Sequence, residues 1–350
     1  MKQIVFVTGS MCRGGAERVI SLLSNHYVKL GWNVSIVMLL HSYVEYDLDP
    51  KVEILDFSND KIHAALDMPR LICKLRKFVK SIKPDVVAAF MAQNCMVTSF
   101  ACRGLKTRII QSERIDPAAV KRGKLFAAVL NDVYARSTVT VLQTLRAKNY
   151  FPKKVQDNAV VIPNPVAVKA EAAEQRKHRI VTAGRLAGQK NHKMLICAFD
   201  QIHKVHPEYT LDIYGEGPLR EALQQQIDDL GLTAVVTLKG NVPNIHDQIA
   251  DAEIFALTSN YEGLSNALLE AMMMGHACIS TDCAGSDEVI RDGENGLLIP
   301  VGDQKALEGA LERLIAEPAF AMKLGKTAKE DSVQFTVDSV MTQWRKAIEG

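Results

Sequence analysis

Short apolar runs alternate with longer amphipathic segments along most of the chain. The runs are rich in valine, isoleucine and leucine, and polar loops that often contain glycine or proline separate them. Such runs are typical of buried strands, and the longer segments have the 3.6-residue period of helices. Their alternation predicts an α/β fold, in which a mostly parallel sheet carries helices on both faces. The predicted strands are residues 4–7, 34–40, 52–57, 86–90, 108–111, 139–142, 160–162, 180–183, 211–214, 235–238, 254–257 and 277–281.

The alternating pattern is interrupted once, near the middle of the chain. Pro163 and Pro165 stiffen the backbone there, and a charged, alanine-rich stretch follows at residues 169–178. A chain of 350 residues is long for one domain and comfortable for two. We therefore expect two doubly wound domains, residues 1–164 and residues 165–332.

Composition and charge argue against several classes of protein. The hydrophobic fraction is 47% and the charged fraction 23%, as in ordinary soluble domains. No apolar run approaches the roughly 20 residues of a membrane span, and a net charge of +2 gives no argument for nucleic-acid binding. The 7 cysteines are scattered, which predicts reduced thiols and no zinc site. The first predicted strand leaves no room for a signal peptide, so we expect a cytoplasmic protein.

Residues 257–282 predict a strand, a polar loop, a helix and a second strand. The helix covers residues 266–274, and Gly275 is suited to end it. A helix N-terminus favours anions such as phosphate, because its first backbone N–H groups lack partners within the helix. The loop amides expected at this N-terminus belong to Gly263, Leu264 and Ser265.

Two glutamates bracket the start of that helix. Glu262 lies in the loop and Glu270 lies in the helix, and a helix covering both would place them about 12 Å apart along its axis. That distance approximates the reach of a nucleotide diphosphate with a sugar at one end and a ribose at the other. Taken alone, a solvated loop glutamate and an ordinary helix glutamate explain the pattern equally well.

Further loops after predicted strands contain glycines or paired cations. Gly14 and Gly15 follow the first strand, but their spacing matches neither the dinucleotide fingerprint nor a P-loop. Arg185 and Lys190 place two cations in one loop at a helix start, which suits charge-assisted bonds to a pyrophosphate. Tight turns and a solvated basic loop remain the simpler interpretations. Other loop glycines that permit close approach of a ligand are Gly215, Gly217 and Gly240.

Charged residues also crowd the loop at residues 111–117, after another predicted strand. Binding sites in parallel sheets collect at the carboxyl ends of strands, so Glu113, Arg114 and Asp116 are candidates for a second site. The alternative is a helix-capping loop with solvated charges, in which Pro117 starts the next helix.

Together these motifs resemble those of the family-4 retaining glycosyltransferases of the GT-B fold, and the resemblance covers almost the whole chain. It implies two Rossmann-like domains facing a central cleft, the first on the acceptor side, with a C-terminal helix at about residues 333–350 crossing back onto the first domain. The Gly-Gly-Ala-Glu motif is similar to that of a subgroup in bacterial capsule, lipopolysaccharide and lipid-linked glycan assembly. The matching segments are residues 14–18, 184–191, 262–271, 285–290 and 295–298.

The resemblance also implies roles for individual residues. Glu262 would orient the donor sugar, and Glu270 would hold the ribose hydroxyls. The loop amides at residues 263–265 would bind the phosphates, and the loop of Gly14 and Gly15 would approach the same phosphates. The glycine loops at residues 215–217 and 240 would flank the base. The implied catalytic residues are Glu262, Arg185, Lys190 and Glu113. The implied acceptor-side residues are Arg13, Glu113, Arg114 and Asp116. Family members often have a histidine near the position of residue 113. This chain has Glu113 and Arg114 there, so the role of that histidine is left unassigned.

The implied activity is metal-independent, retaining transfer of a sugar from a nucleotide sugar to a glycan or lipid-linked glycan. A UDP-hexose or UDP-N-acetylhexosamine is the expected donor, and no cofactor is expected. A Rossmann oxidoreductase is disfavoured because the dinucleotide fingerprint is missing. The alternative is a cytosolic two-domain nucleotide- or sugar-binding protein without transferase activity.

Residues 69–83 predict an amphipathic helix with an apolar side and a basic side. A sheet-packing helix with a solvated basic face and a helix that meets anionic lipid explain this pattern equally well. Residues 120–126 add further cations beside apolar residues. The sequence thus allows a peripheral enzyme on the inner face of the plasma membrane. The basic residues are Arg70, Lys74, Arg76, Lys77, Lys80 and Lys83.

Overall fold

The computed structural model describes residues 1–12, 14–58, 67–168, 173, 175–283 and 285–350. The chain divides into two compact units. Unit 1 consists of Met1–Asn164 and Val340–Gly350, and unit 2 consists of Pro165–Ser339. Each unit is an α/β layer structure built on its own sheet.

Unit 1 contains a sheet of seven parallel strands in the order β3-β2-β1-β4-β5-β6-β7. The strands are β1 Gln3–Thr8, β2 Asn33–Met38, β3 Glu53–Asp56, β4 Val86–Phe90, β5 Arg108–Ser112, β6 Val139–Leu142 and β7 Ala159–Val161. The helices are α1 Gly15–Lys29, α2 Met68–Ile82, α3 Ala92–Cys102, α4 Lys124–Ala135, α5 Leu145–Tyr150 and α6 Lys153–Gln156.

Unit 2 contains a sheet of six parallel strands in the order β10-β9-β8-β11-β12-β13. The strands are β8 Lys177–Ala183, β9 Thr210–Tyr214, β10 Val236–Gly240, β11 Ala252–Leu257, β12 Ala277–Thr281 and β13 Leu297–Ile299. The helices are α7 His192–Val205, α8 Arg220–Asp229, α9 Ile245–Ile249, α10 Asn266–Met273, α11 Ser286–Val289, α12 Gln304–Ala316 and α13 Pro318–Asp331, and a 3-10 helix follows at Ser332–Phe335.

The central strands are apolar along their whole length because helices cover both faces of each sheet. Every residue of β4 is buried, as is every residue of β12. The helices bury one face only, as α1 does with Val19, Ile20 and Leu23. The prediction of two doubly wound α/β domains is therefore confirmed.

The last helix, α14 Val337–Glu349, belongs to unit 1 from Val340 onward. The Trp344 ring is fully buried and stacks on the Phe90 ring with a centroid separation of 5.5 Å. Arg108 donates a hydrogen bond of 3.0 Å to the carbonyl of Ala347. Residues 333–339, which the sequence prediction grouped with this helix, lie in unit 2.

Both sheets reverse their strand order once, between β1 and β4 in unit 1 and between β8 and β11 in unit 2. At such a switch point the loops leaving two neighbouring strands run in opposite directions and open a crevice at the carboxyl edge. The strand order therefore gives each unit one position suited to ligand binding. Among the described residues, no helix is long and apolar enough to cross a membrane.

Candidate active site

The loops at the switch point of unit 2 are joined to each other by hydrogen bonds. Residues 184–191 follow β8, and residues 258–265 follow β11. The Asn260 amide N–H donates to the Gln189 carbonyl at 2.7 Å, and the Gln189 side chain donates to the Tyr261 carbonyl at 3.0 Å. These bonds hold the predicted cationic loop and the predicted glutamate loop together at one edge of the sheet.

Lys190 and Glu262 form an ion pair at this position, with 2.6 Å between Nζ and Oε1. The same carboxylate oxygen accepts a hydrogen bond of 2.7 Å from the Ser259 hydroxyl. The exposed fractions of the two side chains are only 15% and 9%. Two residues assigned to different parts of a donor, the diphosphate and the sugar, therefore neutralise each other's charge.

Arg185 is the second cation of the loop, and its side chain is exposed. Its guanidinium has no hydrogen bond or ion pair to any residue that the structure describes. Leu186, next to it, is completely buried and anchors the loop. Burial, followed by the charge of Lys190, lowers the pKa of His192 to about 4, so this histidine adds no cation at neutral pH.

Helix α10 begins at Asn266, so Glu262 lies outside it. Ser265 is the N-cap residue, and its hydroxyl accepts a hydrogen bond of 3.4 Å from the Leu268 amide. Because Glu262 precedes the helix, the spacing of about 12 Å along one helix does not describe the two glutamates. The backbone of Gly285 packs directly against this loop, because a Cβ at Gly285 would lie 2.0 Å from the Gly263 carbonyl oxygen.

Glu270 lies on α10 and faces a residue that the sequence analysis did not single out. His246 Nε2, on α9, lies 3.3 Å from Glu270 Oε2, and each side chain is 14% exposed. The two residues lie on separate helices, one before and one after β11 in the chain. No local pattern signals that proximity.

The glycines at positions 215 and 217 are needed for packing. Gly215 has a φ of +136°, and a Cβ there would lie 2.1 Å from the Gly184 carbonyl oxygen. A Cβ at Gly217 would lie 2.5 Å from the Leu186 carbonyl oxygen. Gly240 has a φ of +71° and forms an isolated bridge with Gly215. These contacts hold the cationic loop in place, and contact with a nucleotide base remains a prediction.

A cavity of about 670 Å³ opens at the switch point of unit 1, between the loops after β1 and β4. Residues from the loops after β2 and β5 and from α1, α3 and α4 complete its wall. The lining residues include Gly9, Ser10, Glu17, Met91, Asn94, Glu113, Ile115, Lys121, Arg122 and Phe126. Glu17 belongs to the Gly-Gly-Ala-Glu motif, but the sequence analysis gave it no role. Burial raises the pKa of Glu17.

Glu113 lines this cavity, but hydrogen-bond donors already occupy its carboxylate. Oε2 accepts 2.6 Å from Arg122 and 3.0 Å from the Tyr134 hydroxyl, and Oε1 accepts 3.2 Å from the Arg114 amide. The residue is 2% exposed. The alternative of a loop with solvated charges is therefore wrong.

Arg114 and Asp116, which the resemblance assigns to the acceptor side, are not among the residues that line this cavity. The Arg114 guanidinium is buried and donates to the Asn164 side chain and to the Ile162 carbonyl. Burial lowers the pKa of Arg114, opposed by the nearby charge of Glu113. Asp116 accepts a hydrogen bond of 3.0 Å from the Ala118 amide. Arg114 thus joins two segments of the protein, Asp116 holds the backbone of its own loop, and Arg13 lies outside the described residues.

The glycine loop of unit 1 is held by Tyr46. Its hydroxyl accepts a hydrogen bond of 3.0 Å from the Gly14 amide and donates one of 2.8 Å to the Gly14 carbonyl. Gly14 is the N-cap of α1 in an extended conformation, and Gly15 is the first helical residue. Among the described residues, no group of three His, Cys, Asp or Glu side chains is arranged to hold a metal ion.

Comparison with known proteins gives matches over both units. Residues 165–331 match the family model described as glycosyl transferases group 1. A Campylobacter jejuni protein is 26% identical over 99% of this chain and 98% of its own length; it is named GalNAc-alpha-(1->4)-GalNAc-alpha-(1->3)-diNAcBac-PP-undecaprenol alpha-1,4-N-acetyl-D-galactosaminyltransferase. An Erwinia amylovora protein, amylovoran biosynthesis glycosyltransferase AmsD, is 24% identical over 98% of each chain.

Solved structures show the same fold. Sucrose-phosphate synthase from Thermosynechococcus elongatus superposes with a TM-score of 0.84 at 16% identity, over 99% of this chain and 98% of the other. Anabaena Alr3699/HepE in complex with UDP superposes with a TM-score of 0.82 at 17% identity, over 99% of both chains. These matches leave no support for a binding protein without transferase activity. The chain is thus a glycosyltransferase of the GT-B fold, and its residues 165–331 match the family model of the glycosyl transferases group 1.

Proposed function

We propose that the protein is a retaining, metal-independent glycosyltransferase that moves a sugar from a UDP-sugar to a glycan or lipid-linked glycan. The observation that carries the donor assignment is the pairing of Lys190 with Glu262 at the switch point of unit 2, where Nζ and Oε1 are 2.6 Å apart. Arg185 stands exposed in the same loop. A diphosphate supplies an anion for Arg185 and competes with Glu262 for Lys190.

The donor displaces Glu262 from Lys190 in this proposal. The diphosphate takes the Lys190 ammonium and the Arg185 guanidinium, and Glu262 becomes free to accept hydrogen bonds from the sugar hydroxyls. The two cations stabilise the negative charge that develops on the leaving diphosphate, a form of stabilisation that is usually the largest catalytic term. Support for UDP as the nucleotide comes from the fold neighbour that was solved with UDP and with UDP-glucose.

Retention follows from transfer on one face of the sugar. The acceptor oxygen bonds to C1 while the bond from C1 to the diphosphate breaks, and the acceptor proton passes to the departing phosphate oxygen. Glu113 is not suited to act as the base because three donors hold its carboxylate. We assign it to the orientation of Arg122 in the cavity wall.

The acceptor binds in the cavity of unit 1 in this proposal. Its wall combines apolar side chains, such as Ile115 and Phe126, with the cations Lys121 and Arg122. The Campylobacter jejuni relative is named for a glycan carried on PP-undecaprenol, which combines sugar hydroxyls, a diphosphate and a lipid. The test is a screen of UDP-sugars for hydrolysis or transfer, with and without a bacterial lipid extract. Release of UDP that the extract stimulates supports the proposal, and absence of turnover with every UDP-sugar contradicts it.

Activity is expected to survive chelation of divalent metals. Lys190 and Arg185 take the charge-neutralising role that a metal serves in other transferases. The measurement is UDP release before and after dialysis against EDTA. Complete loss of activity in EDTA, followed by recovery with magnesium or manganese, would show that the two cations are not sufficient.

Binding to anionic membranes is a further expectation, and it rests on the exposed lysines of α2. Two cations of the predicted basic face are held by other groups of the protein. Arg70 forms an ion pair with Asp67, and Arg76 donates hydrogen bonds to the carbonyls of Ala101 and Arg103. The remaining cations are Lys74, Lys77, Lys80 and Lys83, which are exposed. Each basic residue near an anionic surface contributes about 1 kcal/mol at low salt.

Co-sedimentation with vesicles tests this expectation. The wild type should pellet with anionic vesicles at low salt and dissociate at high salt. Charge reversal at Lys74, Lys77 and Lys80 should abolish pelleting. The matched control is charge reversal at the exposed Lys323 and Lys326 of α13, which should leave it unchanged. Equal pelleting with neutral vesicles would mean that the basic face is only solvated.

A further inference from the structure

His246 and Glu270 face each other beside the proposed nucleotide site. Their closest atoms, Nε2 and Oε2, are 3.3 Å apart, and both side chains are largely buried. The Nε2 atom itself is buried and has no hydrogen bond of good geometry to any residue that the structure describes. A buried ring nitrogen beside a carboxylate costs free energy unless a hydrogen bond satisfies it.

The position of the His246 ring is fixed by apolar packing. Ile249, one turn later on α9, is buried in the same core cluster as Leu268 and Leu269, which flank Glu270 on α10. Ile245 packs against the edge of that cluster. The two helices are thus anchored in one apolar core, which holds the backbones that carry the ring and the carboxylate and leaves the side chains to adjust.

We propose that His246 is a positioning residue that orients the Glu270 carboxylate for the ribose hydroxyls of the nucleotide. Binding of a ribose draws Glu270 into the geometry in which one oxygen accepts from Nε2–H and the other from a hydroxyl. The inference rests on the proposed function, because it takes Glu270 as the ribose-binding residue. It predicts that His246 contributes to nucleotide affinity only when ribose hydroxyls are present.

Calorimetric titration of the full chain with UDP and with 2′,3′-dideoxyuridine diphosphate tests the proposal. The variant His246→Asn removes the donor at the Nε2 position and should weaken UDP binding by roughly tenfold, as expected for one hydrogen bond to a charged group. The same variant should bind the dideoxy ligand as the wild type does. His246→Gln places an amide near the Nε2 position and should recover part of the lost affinity.

Two controls separate positioning from general stability. His206→Asn breaks a comparable contact, 3.0 Å from His206 Nε2 to Glu312 Oε2 in the same unit, and should leave UDP affinity unchanged. In a Glu270→Gln background, His246→Asn should cause no further loss. An equal loss for both ligands, or no loss for UDP, would overturn the role of His246 alone. A wild type that does not bind UDP would overturn the proposed function together with this inference.

Discussion

The variant Glu262→Ala is expected to bind free UDP about as tightly as the wild type and to transfer sugar roughly ten- to a hundredfold more slowly. A lost hydrogen bond to a charged group costs about 1.5–3 kcal/mol, which corresponds to that factor. Free UDP contains no donor sugar for Glu262 to hold, so its binding does not depend on a contact with this carboxylate, whose removal also releases Lys190 from its ion pair. The loss should therefore appear in turnover and in the affinity for the intact UDP-sugar.

Glu270→Ala provides the contrast to that variant. It removes an acceptor for the ribose hydroxyls, so free UDP should bind roughly ten- to a hundredfold more weakly. The measurement is calorimetric titration of both variants with UDP and with the UDP-sugar that the donor screen identifies. Equal losses of UDP affinity in the two variants would show that the roles of the two glutamates are misassigned.

Gly285→Ala is expected to destabilise the protein strongly and to reduce transfer. The new Cβ would lie 2.0 Å from the Gly263 carbonyl oxygen, and the backbone φ of +86° is unfavourable for alanine. Overpacking contributes about 1–3 kcal/mol, and the strained backbone contributes about a further 1–3 kcal/mol. Relief of the clash also moves the loop of Glu262, so activity should fall even below the unfolding temperature.

Thermal unfolding and UDP release measure the two effects of Gly285→Ala. The matched control is Gly309→Ala, because Gly309 lies inside α12 with open space around its Cα. Alanine there should leave activity unchanged and stabilise the helix by roughly 0.5–1 kcal/mol. A Gly285→Ala protein that unfolds at the wild-type temperature would mean that the packing of the loop against Gly263 is not tight.

The fold was largely predictable because buried strands and half-buried helices differ in their patterns of apolar residues. Strands covered on both faces read as unbroken apolar runs, as β4 and β12 do. The ends of those runs also located the loops at the switch points, since function collects where parallel strands end. Short helices such as α5 and α6 carry too little periodicity to be seen in this way.

The charge pairings of the site were not predictable, because they join residues far apart in the chain. Lys190 and Glu262 meet only because β8 and β11 are neighbours in the sheet. His246 on α9 and Glu270 on α10 meet because residues of these two helices share one core cluster.

Sequence reasoning failed most clearly at residues 113–116. Charged side chains are seldom fully buried unless they are paired. Arg122 and Tyr134, which donate hydrogen bonds to Glu113, lie on the segment that follows it. Asn164, which accepts a hydrogen bond from Arg114, lies still farther along the chain. No local pattern signals these pairings, so the burial of the charged side chains in this loop was not predicted.

The central claim is that unit 2 binds a nucleotide diphosphate through the loop of Arg185 and Lys190 and through Glu270. A crystal structure of the full chain with UDP tests it most directly. We expect the diphosphate oxygens within hydrogen-bond distance of Arg185 and Lys190, the ribose hydroxyls on Glu270, and Lys190 separated from Glu262. A bound UDP that leaves the Lys190–Glu262 pair intact, or whose ribose contacts Glu262, would contradict the claim.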